Sequence, residues 1–212
     1  MSSKNETLND PKPPPLAAAR IANGDSPAAP AGLELTPRQA LLGDINMRID
    51  RAGVWHYLGS PIKRQALVRL FASVLKRDAA GDYWLVTPAE VARLDVEDTP
   101  FHIVAMELNG SGPDQSIIFR TNVDQNVALS GIRPLRIETA KDGAPKPLLV
   151  VADDGTEALL DRAIFYDLID LGRIEDMDHQ KVFGVWSAGD FFPLADADDE
   201  DLMREITDGL DA

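Results

Sequence analysis

Residues 54–87 read VWHYLGSPIKRQALVRLFASVLKRDAAGDYWLVT, and this stretch decides the predicted fold. It begins with strand-forming residues, and Ser60 followed by Pro61 is typical of the N-cap and first position of a helix. Apolar side chains then recur at three- and four-residue steps over residues 61–75, which predicts a helix with one apolar face. Strand formers return at residues 83–87, so the stretch predicts a strand–helix–strand unit.

The same plan occurs a second time in residues 148–186. Aligned without a gap, Phe71 of the first unit corresponds to Phe165 of the second, and the alignment predicts a second helix over residues 155–169. Two units are too few for a solenoid, so we interpret them as a duplicated strand–helix–strand core. The alternative is that any two capped helices between strands would align equally well.

A short helix and several hairpins are predicted around these units. Thr36 and Gln39 form a capping-box pattern, which predicts a helix that ends at Gly43. Residues 45–49 then alternate apolar and polar side chains, as in a half-buried strand, and are predicted to pair with the strand that follows. Two more hairpins are predicted from residues 101–108 with 115–120, and from 182–187 with 191–194.

These patterns divide the chain into four parts. Residues 1–35 are rich in Pro and Ala and poor in large apolar side chains, which predicts a disordered segment. Residues 36–98 are predicted to form an N-terminal α+β domain, and residues 99–195 a β-rich C-terminal domain with one long helix. Residues 196–212 form an acidic tail. The predicted fold class is therefore α+β, with two similar small domains.

The composition excludes several classes of function. The 212 residues carry a formal net charge of −14, and residues 151–212 account for all of it with 18 acidic and 4 basic side chains. This charge argues against general binding to duplex nucleic acid or to anionic membranes. The chain has no cysteine, which excludes disulfides and Cys-ligated metals. No transmembrane run or secretory signal is recognisable, so we expect a cytoplasmic protein.

A search for catalytic and metal-binding motifs identifies none. The three histidines, His56, His102 and His179, are isolated, and neither a nucleophile motif nor a metal-binding spacing accompanies them. The acidic run after residue 195 resembles the start of a calcium loop, but Asp201 occupies the position that requires Gly. We therefore predict no catalytic residue, no metal ligand and no cofactor.

Lys63 and Arg64 carry the functional hypothesis. In the predicted helix they lie in the first turn, where a cation opposes the helix dipole at a cost of about 0.3–1 kcal/mol. Together with the Ser60 hydroxyl and the free N–H groups of that turn, they would form an anion pocket. The alternative is that both cations are solvated, or pair with carboxylates of the acidic C-terminal half.

Four other residues complete the candidate site. Arg120 would help to neutralise the anion, and Asn122 would donate a hydrogen bond to it. Trp55 or Tyr83 would stack on a base of the ligand. For these aromatic side chains, packing in the core is the alternative interpretation.

The sequence also resembles the bacterial DUF1285 family over roughly residues 40–195. The resemblance is carried by GDINMRI at 43–49, GSPI at 59–62, LVRLFASVL at 67–75, YWLVTP at 83–88, VEDTPF at 96–101, FRTNV at 119–123 and AIFYDL at 163–168. It implies two similar domains with a duplicated core, a C-terminal half loosely like a pleckstrin-homology barrel, and a ligand site between the domains. It further implies a nucleotide-like or nucleic-acid-derived ligand and a part in signal transduction, with no established activity.

The leading hypothesis is a non-enzymatic cytoplasmic protein that binds a small anionic, nucleotide-like ligand between its two halves. The second hypothesis is a protein-interaction adaptor that uses a hydrophobic groove and the acidic tail, where Leu202, Ile206 and Leu210 stand four residues apart. A hydrolase or transferase of unrecorded type ranks last, because no triad or metal cluster supports it.

Overall fold

The computed structural model describes residues 29–141 and 143–196. The greater part of the predicted disordered segment, and the acidic tail beyond Asp196, therefore lie outside the described residues. Within the described part, strands dominate and two α-helices are present. Neither helix is long and apolar enough to cross a membrane.

The first six strands form one mixed sheet. They are β1 (Ala40–Ile49), β2 (Trp55–Tyr57), β3 (Ser60–Pro61), β4 (Leu75–Arg77), β5 (Tyr83–Val86) and β6 (Glu90–Val96). Helix α1 (Gln65–Ser73) connects β3 to β4. The strand order is β3-β2-β1-β6-β5-β4, in which β1 and β6 are parallel and the other neighbours are antiparallel.

The next six strands repeat this topology. They are β7 (Phe101–Asn109), β8 (Ser116–Thr121), β9 (Asn126–Ala128), β10 (Leu135–Thr139), β11 (Pro145–Val150) and β12 (Glu157–Leu160). Their order is β10-β11-β12-β7-β8-β9, with β7 and β12 parallel. Each sheet is thus made of two three-stranded meanders, joined in parallel through the first strand of one and the last strand of the other.

The chain ends its described part in a helix and a third sheet. Helix α2 (Arg162–Ile169) follows β12, and β13 (Arg173–Met177), β14 (Gln180–Ser187) and β15 (Asp190–Asp196) form an antiparallel three-stranded sheet. The three predicted hairpins are confirmed as β1–β2, β7–β8 and β14–β15.

Two similar domains are confirmed, but the predicted repeat unit is wrong. Helix α1 lies between the third and fourth strands of its sheet, whereas α2 follows the sixth strand of the second sheet. The pattern that predicted a second helix start belongs to a tight turn before β12. There Asp154 accepts hydrogen bonds from the N–H and hydroxyl of Thr156 at 3.0 and 2.7 Å, and Gly155 has a φ of 76°.

The start of α1 also differs from the prediction. Leu58 and Gly59 have φ of 49° and 79°, as in a type I′ hairpin turn, so Ser60 and Pro61 pair with β2 as a short strand. The Ile62 N–H continues this pairing by donating to the Trp55 carbonyl. The helix begins only at Gln65, after the chain has been paired with β2 as far as Ile62.

The predicted helix before Gly43 is likewise wrong. Gln39 Oε1 accepts a hydrogen bond from the Thr36 N–H at 2.7 Å, as in a capping box, but the chain makes a single turn there. The Ala40 N–H then donates to the Ala89 carbonyl, and Ala40 lies opposite Glu90 in the sheet. Pairing with β6 therefore provides the hydrogen bonds that a helix would have supplied.

One buried apolar cluster extends through both sheets. It includes Ile45 and Trp55 from the first sheet, Phe119 and Leu149 from the second, and Phe183 from β14. Because this core is continuous, the two domains meet over packed side chains.

Candidate functional site

Side chains of α1 and β4 cross the junction between the two domains. Gln65 Nε2 donates to the Asn122 carbonyl at 3.0 Å, and Arg69 forms an ion pair with Asp124 at 2.7 Å. At the end of β4, the Arg77 N–H donates to Asp154 Oδ2 at 3.1 Å. These contacts hold α1 and β4 against the turns that follow β8 and β11.

A groove of about 390 Å³ lies along this junction, and we call it the junction groove. Its walls come from the C-terminal half of α1, from β4, and from turns of the C-terminal domain. They are Arg69, Ala72, Ser73, Leu75, Lys76, Phe101, Val123, Asp124, Gln125, Ala152 and Thr156.

The charged groups of the junction groove favour an anion. Of its two cations, Arg69 is paired with Asp124, whereas the side chain of Lys76 is exposed and forms no hydrogen bond or ion pair with a described residue. The pKa of Asp153 is lowered first by its hydrogen bond and ion pair with Arg133, and Lys76 adds a weaker electrostatic contribution. The walls therefore carry an excess of one positive charge, and no carboxylate of the described residues forms a direct ion pair with the Lys76 side chain.

A second cleft, of about 440 Å³, lies on the other face of β4, and we call it the acidic cleft. Successive side chains of a strand point to opposite faces, so Lys76 lines the junction groove and Arg77 lines the acidic cleft. The other charged groups that line the cleft are Asp82, Arg93, Asp95, Glu97, Asp98 and Glu157.

The acidic cleft is a poor site for an anion. Arg93 is paired with Asp82 at 2.9 Å, and the cations that bind Glu97, Asp98 and Glu157 do not line the cleft. A ligand would therefore meet mainly carboxylates. No group of three or more His, Asp or Glu side chains in the described ranges converges on a point that could hold a metal ion.

Tyr83 lies in the acidic cleft and Trp55 lies in the core. Burial raises the pKa of the Tyr83 phenol to about 12. Trp55 is 1% exposed and stacks on Phe71 of α1, with 6.2 Å between the ring centroids. No ligand can reach the Trp55 ring in this arrangement, so its role is the packing of α1 on the sheet.

Ser60, Lys63 and Arg64 are exposed around the connection from β3 to α1, and none of them lines the junction groove. Arg64 occupies the N-cap position of α1, so the two cations precede the first turn instead of lying in it. Neither cation pairs with a carboxylate in the described part of the chain. Because a helix rises 1.5 Å per residue, this end of α1 is about 6 Å along the axis from Arg69.

Arg120 and Asn122 have different surroundings. Arg120 is exposed on β8 and does not line the junction groove. Asn122 Oδ1 accepts from the His102 N–H at 3.2 Å, and its Nδ2 donates to the Gly53 carbonyl at 3.4 Å. Both ends of the Asn122 amide are therefore engaged, Oδ1 within the C-terminal domain and Nδ2 across the junction to Gly53.

Sequence reasoning did not identify the groove residues Lys76 and Gln125. In the sequence, Lys76 is one of several charged residues in and after the predicted helix, so nothing distinguishes it from a solvent-exposed lysine. Gln125 follows Asp124 in a polar stretch that is typical of a turn. The alternation of buried Leu75 with exposed Lys76 on β4 is a local signal that could have separated Lys76 from the helix. No local signal places Gln125 beside it, because the two residues belong to different domains.

Comparisons with known proteins agree with the repeated architecture. The N-terminal domain of unknown function DUF1285 matches residues 36–99, and the DUF1285 C-terminal domain matches residues 100–194. A crystal structure of a DUF1285 family protein from Silicibacter pomeroyi DSS-3 is 41% identical, with a TM-score of 0.71, and the match covers 89% of this chain and 97% of that chain.

A crystal structure of a second such protein, from Shewanella baltica OS155, is 26% identical, with a TM-score of 0.47. That match covers 59% of this chain and 91% of the other. No curated protein matches the chain. Since the two family domains together span residues 36–194, the chain belongs to the DUF1285 family.

Proposed function

We propose that this protein binds a small anionic ligand in the junction groove between its two domains, and that it acts by binding and not by catalysis. The observation that supports the proposal is Lys76, an exposed cation without a partner among the described residues, in a groove whose walls have a net positive charge. An anion there would gain an ionic hydrogen bond without breaking an existing one.

Other groups of the junction groove would assist Lys76. Gln125 Nε2 has two N–H bonds and donates one of them to the Val151 carbonyl at 3.2 Å, which leaves one for a ligand. Lys63 and Arg64, near the start of α1, would raise the local concentration of an anion by long-range attraction. In this proposal they attract the ligand, and Lys76 binds it.

The aromatic wall residue Phe101 is only 4% exposed, so the groove offers little surface for stacking a base. A nucleotide-like ligand, a part in signal transduction, a cytoplasmic location and a pleckstrin-homology-like C-terminal half stay predictions drawn from the sequence and its family resemblance. An adaptor role for the acidic tail also stays a prediction, because residues 197–212 lie outside the described ranges.

The test is a comparison of Lys76→Gln with the wild-type protein. Thermal unfolding would be followed with inorganic phosphate, pyrophosphate, citrate and AMP at low ionic strength, and the affinity of any responding anion measured by titration calorimetry. We expect at least one anion to stabilise the wild type. The variant should bind that anion about tenfold more weakly, because it lacks one charge-assisted hydrogen bond.

Lys181→Gln is the matched control, since Lys181 is an exposed lysine on β14 outside the junction groove. It removes the same charge and should bind the anion as the wild type does. The proposal is wrong if no anion in the set binds the wild type. It is also wrong if the Lys76 and Lys181 variants lose affinity equally, because binding would then follow net charge alone.

A further inference from the structure

A cavity of about 640 Å³ lies beside the N-terminal end of α2, and we call it the α2 pocket. It is formed mainly by β11, β12 and α2 of the C-terminal domain, with Asp98 and His102 also at its walls, and it shares no lining residue with the junction groove. Small-molecule sites in proteins commonly enclose about 300–1,000 Å³, so the α2 pocket is large enough for a small organic ligand.

Part of the α2 pocket is apolar. Pro145, Pro147, Leu159, Phe165 and Tyr166 contribute to its walls. Phe165 is 4% exposed and belongs to the core behind this wall, whereas Pro145, Leu159 and Tyr166 are half-buried and present apolar surface to the pocket. A ligand with a hydrophobic group could therefore bury that group here without rearranging the protein.

Asp161 provides a carboxylate oxygen that the protein leaves unused. It is the N-cap residue of α2, but its side chain makes no capping hydrogen bond. Its Oδ1 lies 3.0 Å from His102 Nδ1, and Oδ2 has no hydrogen-bond partner among the described residues. The side chain is 45% exposed at the pocket, so Oδ2 can accept a hydrogen bond from a ligand.

Arg162 provides a guanidinium group that Tyr166 holds in place and that has no carboxylate partner among the described residues. Its Nε donates to Tyr166 Oη at 2.8 Å, and the guanidinium carbon lies 5.3 Å from the centre of the Tyr166 ring. These contacts occupy one of the five N–H donors and orient the group, which leaves the two terminal nitrogens with four donors. No carboxylate in the described chain forms an ion pair with Arg162.

The remaining charges of the α2 pocket cancel. Lys146 and Asp98 form an ion pair with each other at the pocket. His102 lines the pocket, but its Nε2 is buried without a partner and faces Gly53 of the other domain. The groups available to a ligand are thus one carboxylate and one guanidinium from neighbouring residues, next to an apolar wall.

A ligand with a single charge would satisfy only one of these two groups. A ligand with one positive and one negative group close together would satisfy both, and its hydrocarbon part would cover the wall. We propose that the α2 pocket binds an apolar α-amino acid. Its ammonium group binds Asp161, its carboxylate binds Arg162, and its side chain packs against the half-buried Pro145, Leu159 and Tyr166.

The experiment compares three related compounds by titration calorimetry with the full chain. L-phenylalanine has both charges, 3-phenylpropionate lacks the ammonium group, and 2-phenylethylamine lacks the carboxylate. We expect L-phenylalanine to bind, and each analogue to bind about tenfold more weakly, because each forfeits one charge-assisted contact. L-leucine, titrated in parallel, should also bind. Absence of binding by both amino acids, or equal binding of all three phenyl compounds, overturns the proposal.

Two variants test which residue binds each charged group of the amino acid. Arg162→Gln should no longer distinguish L-phenylalanine from 2-phenylethylamine, and Asp161→Asn should no longer distinguish it from 3-phenylpropionate. Asn at position 161 keeps an oxygen that can accept from His102, and far-UV circular dichroism checks that both variants are folded. Wild-type discrimination in both variants overturns the proposal.

Arg173→Gln and Lys76→Gln are the controls. Arg173 is an exposed arginine on β13 that does not line the α2 pocket, so its loss should leave the affinity for L-phenylalanine unchanged. Lys76→Gln should do the same, because it alters only the junction groove. A loss of L-phenylalanine binding in either control overturns the assignment to the α2 pocket, whatever the outcome of the anion experiment.

Discussion

Asp78 is a carboxylate that is 6% exposed and joins several segments of the N-terminal domain. It accepts hydrogen bonds from the N–H groups of Ala31, Ala80 and Asp82 and from the indole of Trp84, all at 2.9–3.0 Å. Burial by itself would raise the pKa of Asp78. The hydrogen bonds to its ionised form outweigh that effect and lower the pKa below its ordinary value.

We predict that Asp78→Asn destabilises the protein by about 1–3 kcal/mol near pH 7, because the four donors lose a charged acceptor. Since the pKa is lower in the folded state, the unfolded chain takes up the proton first as the pH falls. The stabilisation is therefore complete above about pH 4 and is lost as the pH falls through the folded-state pKa.

Urea unfolding of wild type and Asp78→Asn at about pH 7 and about pH 3 measures this effect. The difference in the free energy of unfolding should be smaller at the lower pH. Asp176→Asn, which alters an exposed carboxylate on β13, is the control and should change little at either pH. An equal difference for Asp78→Asn at both pH values would contradict the prediction.

At the scale of elements, the capping patterns correctly marked turns between elements, but they did not mark the first residues of helices. Ser60 belongs to a strand, Asp154 closes a turn onto Thr156, and Thr36 with Gln39 makes a single turn. Short polar side chains bond to nearby backbone N–H groups in turns as well as at N-caps, so the local pattern is the same in both. Apolar periodicity predicted the existence of α1 but not its bounds: the buried face follows the helical repeat, whereas the helix spans Gln65–Ser73 and not residues 61–75.

The N-terminus of α1 leads to a second prediction. Arg64 has N-cap dihedrals of −82° and 102°, yet no side chain caps the helix and its first turn contains no acidic residue. Arg64→Asp should therefore stabilise the protein by about 1 kcal/mol, through a capping hydrogen bond and a favourable interaction with the helix dipole. Thermal and urea unfolding measure the change.

Lys63→Asp is the matched variant for this prediction. It makes the same change of charge one residue earlier, where a side chain cannot cap, so its effect should be smaller than that of Arg64→Asp. If the two variants stabilise the protein equally, the effect comes from charge alone, and the predicted capping hydrogen bond of Asp at position 64 does not form. Under the proposed function, Arg64→Asp should also weaken anion binding, because a cation near the junction groove becomes an anion.

At the scale of the whole molecule, the turn between β1 and β2 is packed against the C-terminal domain. Gly53 in this turn has a φ of 72°, and a Cβ atom there would lie 2.8 Å from Asn122 Nδ2 and 3.0 Å from His102 Cδ2. Glycine is therefore required twice, by the backbone conformation and by the approach of the other domain. Gly59 has a similar φ of 79°, but a Cβ atom there would meet nothing within 4 Å.

The pair of glycines gives a third prediction, for the domain junction. Gly59→Ala should cost about 1–2 kcal/mol, which is the strain of a left-handed conformation for alanine. Gly53→Ala carries the same strain and also pushes against Asn122 and His102, so it should cost more. Urea unfolding of both variants measures the difference. If both variants lose the same free energy of unfolding, the close approach of Gly53 to the C-terminal domain does not contribute to stability, and the prediction is wrong.

The family, the presence of two similar domains and the three hairpins followed from the sequence, because alternating apolar residues and turn residues act over short distances along the chain. Tertiary structure alone decided the parallel pairing of β1 with β6 and the place of each helix relative to its sheet. It also decided that Lys76 and Gln125 share a groove while Trp55 is enclosed in the core. These features depend on the burial of apolar surface between segments far apart in the chain, and no local pattern encodes which segments will meet.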